Sequence, residues 1–411
     1  MWRVFRKGLA QRRTNMHKTA RTFLLVIVAF LLVFGISMLY STTYVSSGET
    51  ILARQLTWVG MGAVAAVLVW RCDHRFLGRW AWVALILVGL ALGYLVFAYL
   101  LHKLPGMGGI AGHLPFISGP TKGSFRWLRL GPISLQPSEF AKPILILFLA
   151  DHFARSARYI QEFKRGFLIP MGIAGGVIAL ILLGKNLSIS VITSVVVAGL
   201  AFVAGVRMRY LAALAALGVV AVIALVKIDP ERMSRLTVFR NPEAHQQGEG
   251  YQLWTSQLAM GSGGLRGMGF TNSRMKQFYL PEAHTDFIVA IVGEELGFLA
   301  VSVLILAYGL LMAAAFWIAA LASDRQGILL SVGIGLSLGL HAFVNIGVVS
   351  GFGPTTGVTA PFLSYGGSSM LNSLLCVGLL LSVSRTSERE QDQHDLASGG
   401  MAMYGPREAE G

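Results

Sequence analysis

The sequence predicts an all-α protein that crosses a membrane many times, and three observations lead there. Only 13% of its 411 residues are charged while 54% are hydrophobic, with a mean hydropathy of +0.63. A soluble domain of this size needs more charge to cover its surface. Apolar runs of about 20 residues, the length that spans a bilayer core, recur from Arg21 almost to Arg385 and leave no room for a separate soluble domain. Basic residues also gather in the connections of one face, as the positive-inside rule requires.

About ten spans are expected, at roughly 22–43, 53–71, 80–101, 139–155, 167–184, 187–205, 210–227, 286–320, 328–349 and 365–384. The first follows a basic segment, residues 1–21, holding Arg3, Arg6, Lys7, Arg12, Arg13, Lys18 and Arg21. Its apolar run is too long for a signal peptide and lacks a small-residue cleavage site, so it reads as an uncleaved first helix. An even number of spans puts both termini on one side. Arg71, Arg75, Arg79, Arg155, Arg158, Arg207 and Arg325 fall there too, which makes that side cytoplasmic. External segments at about 102–138 and, before the eighth span, about 228–285 are too long to be mere connectors, a length that goes with function. Residues 386–411 are polar and rich in small residues, and read as a disordered cytoplasmic tail.

The formal net charge is +14. Orientation and anionic membrane lipid account for much of it, with no need of nucleic acid. Cations expected on the outer face, among them Arg126, Lys185, Arg232, Arg235, Arg266 and Arg274, are not explained that way. Cys72 and Cys376 are the only cysteines, and neither is placed for a disulfide or a metal site.

Four stretches could carry chemistry. In "GEGYQLWTSQLAMGSGGLRGMGFTNSRMKQFYLPEAHTD" an amphipathic helix (251–260) leads into a glycine-rich run. Its N–H groups, with Arg266 and Arg274 nearby, could hold a phosphate, or the glycines could simply form turns. Asp286 follows at the outer mouth of the eighth span, with Thr285 as a candidate N-cap and Asp286 as first helical residue. It could complement the helix dipole or act as a base or ligand. Glu294 lies about 12 Å deeper on nearly the same face and Glu295 points about 100° away. Carboxylates at that depth mark either a polar packing network or an ion pathway.

In "GSFRWLRLGPISLQPSEFAKP", Pro137 and Ser138 form a helix entry and Glu139 and Lys142 lie three apart on one face. That pair could neutralise itself or line a polar cavity with Lys142 directed at a phosphate, alongside Arg126. The last stretch, "GPTTGVTAPFLSYGGSSML", is irregular backbone that must be buried in protein or line water, and offers the hydroxyls of Ser364 and Ser368. Neither a nucleotide P-loop nor a Ser/His/Asp triad is present.

Together "RWLRLGPISLQPSEFAK", "GYQLWTSQLAMGSGGLRGMGFTNSRMKQFYLPEAHTDFIVAIVGEELGF" and "PFLSYGGSSML" resemble the SEDS family, the FtsW/RodA/SpoVE proteins, over nearly the whole membrane region. "NSRMKQFYLPEAHTDF" is closer to the cell-division branch than to the elongation branch. The resemblance implies a ten-helix glycosyltransferase of the bacterial cytoplasmic (inner) membrane that polymerises lipid II into peptidoglycan strands. It implies a class B penicillin-binding protein transpeptidase and other division proteins as partners. The family's essential aspartate falls on Asp286, and its motif Glu and Lys on Glu139 and Lys142. Charge on the leaving lipid pyrophosphate would be met by Lys142, Arg126, Arg266 or Arg274, with a divalent cation such as Mg or Mn as a candidate cofactor. One departure is visible: where the family often reads "PDLGT" this chain has "KNLSI", with Asn186 in place of the carboxylate. A lipid II flippase is the main rival reading, and an elongation-type polymerase or a division scaffold are the others.

Overall fold

A computed structural model gives the structure for residues 2–43, 48–105, 112, 114–119, 123–131, 133–248, 250–277 and 279–401. Its helices are α1 (Trp2–Thr43), α2 (Gly48–Arg71), α3 (His74–Lys103), α4 (Pro137–Arg155), α5 (Ile169–Leu183), α6 (Leu187–Val203), α7 (Met208–Ile228), α8 (Pro230–Arg240), α9 (Tyr251–Gly263), α10 (Ile288–Leu321), α11 (Arg325–Val349) and α12 (Gly367–Met401). Before α4 runs a short antiparallel hairpin, β1 (Leu128–Leu130) and β2 (Ile133–Leu135), in the register Leu128 to Leu135.

Among the described residues eight helices are long and apolar enough to cross a membrane, which makes this an all-α polytopic membrane protein. The apolar α6 is shorter. Helix α4, whose charges keep it out of that set, is buried along most of its length at the centre of the bundle. With these two, every expected span has its helix.

Local chemistry sets the helix starts. Asp73 caps α3 by accepting from Arg75 N at 2.8 Å, Asn186 caps α6 from Ile189 N at 3.3 Å, and Asp229 with Pro230 opens α8. Pro137 likewise occupies the first position of α4. The outermost span is α7, where only Leu211 is buried. The innermost are α11 and α12, packed respectively on α10 and α2, while α1 packs on α10 and α3 on α4.

Two expectations need correcting. The eighth span is not a plain helix from residue 286. It starts at Ile288 and is broken at Gly297, whose φ of 77° and ψ of −173° are non-helical. The chain after residue 386 is also not a disordered tail from its start, because α12 continues to Met401; residues 402–411 of that tail lie outside the described residues. Ser387 is buried, Glu388 pairs with Arg21 at 2.6 Å, and Glu390 meets Arg75 and, at 2.7 Å, the Ser323 hydroxyl. Glu388 and Glu390 thus face cations on α1 and α3. At the same end Asp324 meets His74 at 3.1 Å and Arg75 at 3.4 Å. Burial alone would raise the Asp324 carboxyl, but His74 and then Arg75 outweigh it and hold the group down to about 2.

Candidate active site

A cleft of about 740 Å³ gathers residues from every stretch singled out above except the glycine-rich run. Arg126 and Trp127 come from the segment leading into β1, Gln136 and Glu139 from the start of α4, and Lys185 to Ile189 from the α5–α6 turn and the first residues of α6. Asp229, Arg232 and Arg235 come from α8 and its cap, Asp286 from the approach to α10, and Pro354 to Thr359 from the irregular segment after α11.

Contacts tie these walls into one continuous rim. Arg126 donates from Nη2 to the Lys185 carbonyl at 2.6 Å. Three residues on, Ser188 donates to the Thr356 carbonyl at 3.0 Å. Gly357, at φ 66°, lies against Asp286, where a Cβ would sit 3.4 Å from Oδ2. The Asn345 side-chain amide then holds both sides of that junction, donating to the backbone carbonyls of Asp286 (2.8 Å) and Val358 (2.6 Å).

Asp286 is half-buried and precedes the helix rather than opening it, since Phe287 holds the cap position of α10. Thr285 is not its N-cap either. The Thr285 hydroxyl bonds Glu282 Oε2 at 2.9 Å, within a turn that Glu282 forms at φ 57°. The compact turn consumes the residues expected to begin the helix. It leaves the carboxylate at the cleft wall, close to the positive end of α10.

Glu139 lines the cleft, but Lys142 does not. Lys142 Nζ is buried between Glu139 Oε2 at 2.8 Å and His341 Nε2 at 2.6 Å. His341 is therefore the acceptor at Nε2, and its Nδ1–H points at the Ser337 carbonyl, 2.8 Å away. The expectation that Lys142 reaches a phosphate is corrected accordingly: its ammonium is buried and held between Glu139 and His341, and it meets the cleft through Glu139. Ser364 and Ser368 are also turned to structural work. Ser364 Oγ accepts from Ala360 N at 2.9 Å, and Ser368 Oγ accepts from Gln136 N at 3.0 Å; Tyr365 and Ser369 line the cleft instead.

The N–H groups presented to anions come from the residues just after the glycine-rich run, and the anions are the protein's own. Thr271 N (3.0 Å) and Ser273 N (3.3 Å) donate to Glu295, and Arg274 N (2.9 Å) donates to Glu294, which also takes the Ser273 hydroxyl. Glu295 further accepts from Ser41 of α1 at 2.7 Å and from Lys276 Nζ at 2.8 Å. Around Gly297 the helix exchanges its own bonds for bonds to the loop. Met268 N and Gly269 N take the carbonyls of Glu294 and Glu295 at 2.9 Å, while Phe298 N bonds the Gly264 carbonyl at 2.9 Å. The glycines permit this approach, since a Cβ on Gly267 would lie 2.1 Å from the Glu295 carbonyl oxygen. Arg266 and Arg274 are exposed and outside the cleft, so they are withdrawn as phosphate ligands for it.

Lys185, Arg232 and Arg235 take their place at the cleft wall. Arg232 is paired with Asp229 at 3.3 Å and Arg235 with Glu231 at 2.8 Å. Arg126 is pushed below the usual guanidinium range by burial and then by Arg235, with Glu231 partly offsetting. In the sequence Lys185, Arg232 and Arg235 stand as unexplained outer cations, because no spacing signal links α8 or the α5–α6 turn to a carboxylate so far along the chain. Among the described residues no group of three metal-ligating side chains gathers.

Comparison with known proteins gives the same lineage throughout. Residues 16–389 match the cell cycle protein family FtsW/RodA/SpoVE. The probable peptidoglycan glycosyltransferase FtsW of Trichlorobacter lovleyi is 38% identical over 367 residues, covering 88% of this chain and 92% of that protein. Stage V sporulation protein E of Bacillus subtilis is 36% identical over 377 residues, 90% of this chain and 98% of its own length. Among solved structures, a chain from work on the structural coordination of polymerization and crosslinking by a peptidoglycan synthase complex superposes with a TM-score of 0.70 at 26% identity, covering 89% of this chain and 97% of that one. The rod shape determining protein RodA of Thermus thermophilus gives a TM-score of 0.63 at 27% identity, with 88% and 95% covered.

Proposed function

The chain belongs to the FtsW/RodA/SpoVE family of cell cycle proteins, and from that membership and the cleft around Asp286 we infer that it is a peptidoglycan glycosyltransferase of the FtsW type. The observation that carries the mechanism is the half-buried Asp286 set in the rim of a cleft whose opposite resources are cations. Asp286 accepts the proton of the 4-hydroxyl on the GlcNAc of an acceptor lipid II. The freed oxygen attacks the anomeric carbon of the donor chain, forming the new glycosidic bond with inversion. The bond from that carbon to the pyrophosphate oxygen breaks, and its electron pair leaves on the lipid pyrophosphate. Such a leaving group needs charge stabilisation more than protonation, which suits cleft cations better than a second acid.

The same reading places both termini in the cytoplasm and the cleft on the outer face of the bacterial inner membrane, at the division septum. A class B penicillin-binding protein is the fitting partner, because a structurally similar chain belongs to a peptidoglycan synthase complex that couples polymerization to crosslinking.

Purified protein with labelled lipid II tests the reading. Wild type makes glycan polymer, and Asp286→Asn lowers the rate about 100-fold or more, the scale of a lost general base. Polymerisation by Asp286→Asn at the wild-type rate removes Asp286 as the base. Transbilayer movement of lipid II without any polymer would replace the enzyme by a flippase.

A further inference from the structure

The cations of the cleft differ in what they have left to bind. Arg232 and Arg235 already face carboxylates of their own helix region, whereas Lys185 has no acidic partner among the described residues. Its ammonium stands 6.0 Å from the centre of the Tyr99 ring, a weak contact that leaves its three donors available. Lys185 is half-buried and held at φ 60° in the turn between α5 and α6, a conformation that non-glycine residues rarely adopt. Arg126 is fastened to the same residue through the Lys185 carbonyl, and its buried Nε has no hydrogen-bond partner. Both residues line the cleft and are joined through the Lys185 carbonyl, and neither makes an ion pair of its own among the described residues, Glu231 only partly offsetting the charge around Arg126, so both are available to an anionic ligand.

We propose that Lys185 and Arg126 together seat the pyrophosphate of the lipid-linked sugar donor, with Lys185 as a substrate-binding cation that sets this chain's affinity for that group. This rests on the glycosyltransferase reading for the identity of the donor. The rim running from Lys185 through Ser188, Thr356 and Gly357 to Asp286 then joins the two ends of the transfer, leaving group at one and base at the other.

Binding of a polyprenyl pyrophosphate to detergent-solubilised protein, measured alongside lipid II polymerisation, tests it. Lys185→Met weakens polyprenyl pyrophosphate binding about tenfold and raises KM for lipid II, while Lys185→Arg restores most of both. A polyprenol without phosphate binds both proteins equally. Inorganic pyrophosphate shows the same Lys185 dependence at lower affinity. Should Lys185→Met melt like wild type and bind polyprenyl pyrophosphate equally well, the seat is elsewhere. If wild type binds the pyrophosphate through Lys185 but makes no polymer, the seat stands and the glycosyltransferase reading falls; the two failures are therefore separable.

Discussion

Substituting Lys276 by Met probes what fixes the outer half of α10. Glu295 is fully buried and Lys276 nearly so, and the 2.8 Å pair is the carboxylate's one formal counter-charge among the described residues. Without Lys276 the carboxylate keeps Ser41 Oγ and the amides of Thr271 and Ser273, all neutral donors. Stranding a buried charge in this way costs about 3–5 kcal/mol. With an unfolding entropy of roughly 0.9 kcal/mol/K for a chain of this size, the apparent Tm falls by about 5 °C. Intrinsic tryptophan fluorescence during heating in detergent, at one scan rate, reads it. Glu295→Gln is destabilising too, because its amide nitrogen must face one of the backbone N–H donors. Once one partner is gone the other has less to lose, so the double variant Lys276→Met/Glu295→Gln is better than the sum of the single losses by about 1–3 kcal/mol. Strictly additive losses, or a Lys276→Met shift under about 1 °C, would refute the argument that the pair is coupled and dry.

Gly267→Ala should abolish a stably folded detergent-purified protein, because a Cβ would overlap the Glu295 carbonyl oxygen at 2.1 Å and sit at φ 79°. Gly261→Ala, whose Cβ meets nothing within 4 Å, should purify like wild type by size-exclusion chromatography. Asp324 contributes stability that is complete above its unfolded value near 4 and is lost as pH falls through about 2, because folding depresses its pKa. Over that window wild type should lose roughly 2 kcal/mol more than Asp324→Asn, seen as a steeper fall in Tm with acid.

The spans were legible because bilayer thickness imposes run lengths that single residues cannot disguise. The break in α10 was not, since a glycine within an apolar run reads equally well as close helix packing. Asp286 could be picked out because an acid at a span's mouth has few neighbours to mask it in sequence. Its exact setting escaped, because the turn begun by Glu282 shifts the helix start to Ile288. The direction of Lys142 was hidden for another reason: the acceptor His341 is 199 residues away. Glycines beside Arg266 and Arg274 look the same whether they cradle a ligand or a carboxylate of the following helix. Only the pairing of Glu294 and Glu295 with that loop decides it. The ordered start of the tail was missed likewise, since composition alone cannot reveal that Glu388 and Glu390 find Arg21 and Arg75.

The stitching of the loop to the two carboxylates also bears on how the chain enters the membrane as it is made. Ser41 leaves the ribosome 254 residues before the Glu295 it will bind, so the first helix waits through most of synthesis for that partner. The amides of residues 271–275, by contrast, are made about twenty residues before the acids they solvate. Glu294 and Glu295 therefore need not cross into lipid bare, which would cost several kcal/mol. The preceding loop is a shell of donors already made when the acids appear, and α9, which packs against α10, lies on the other side of that loop.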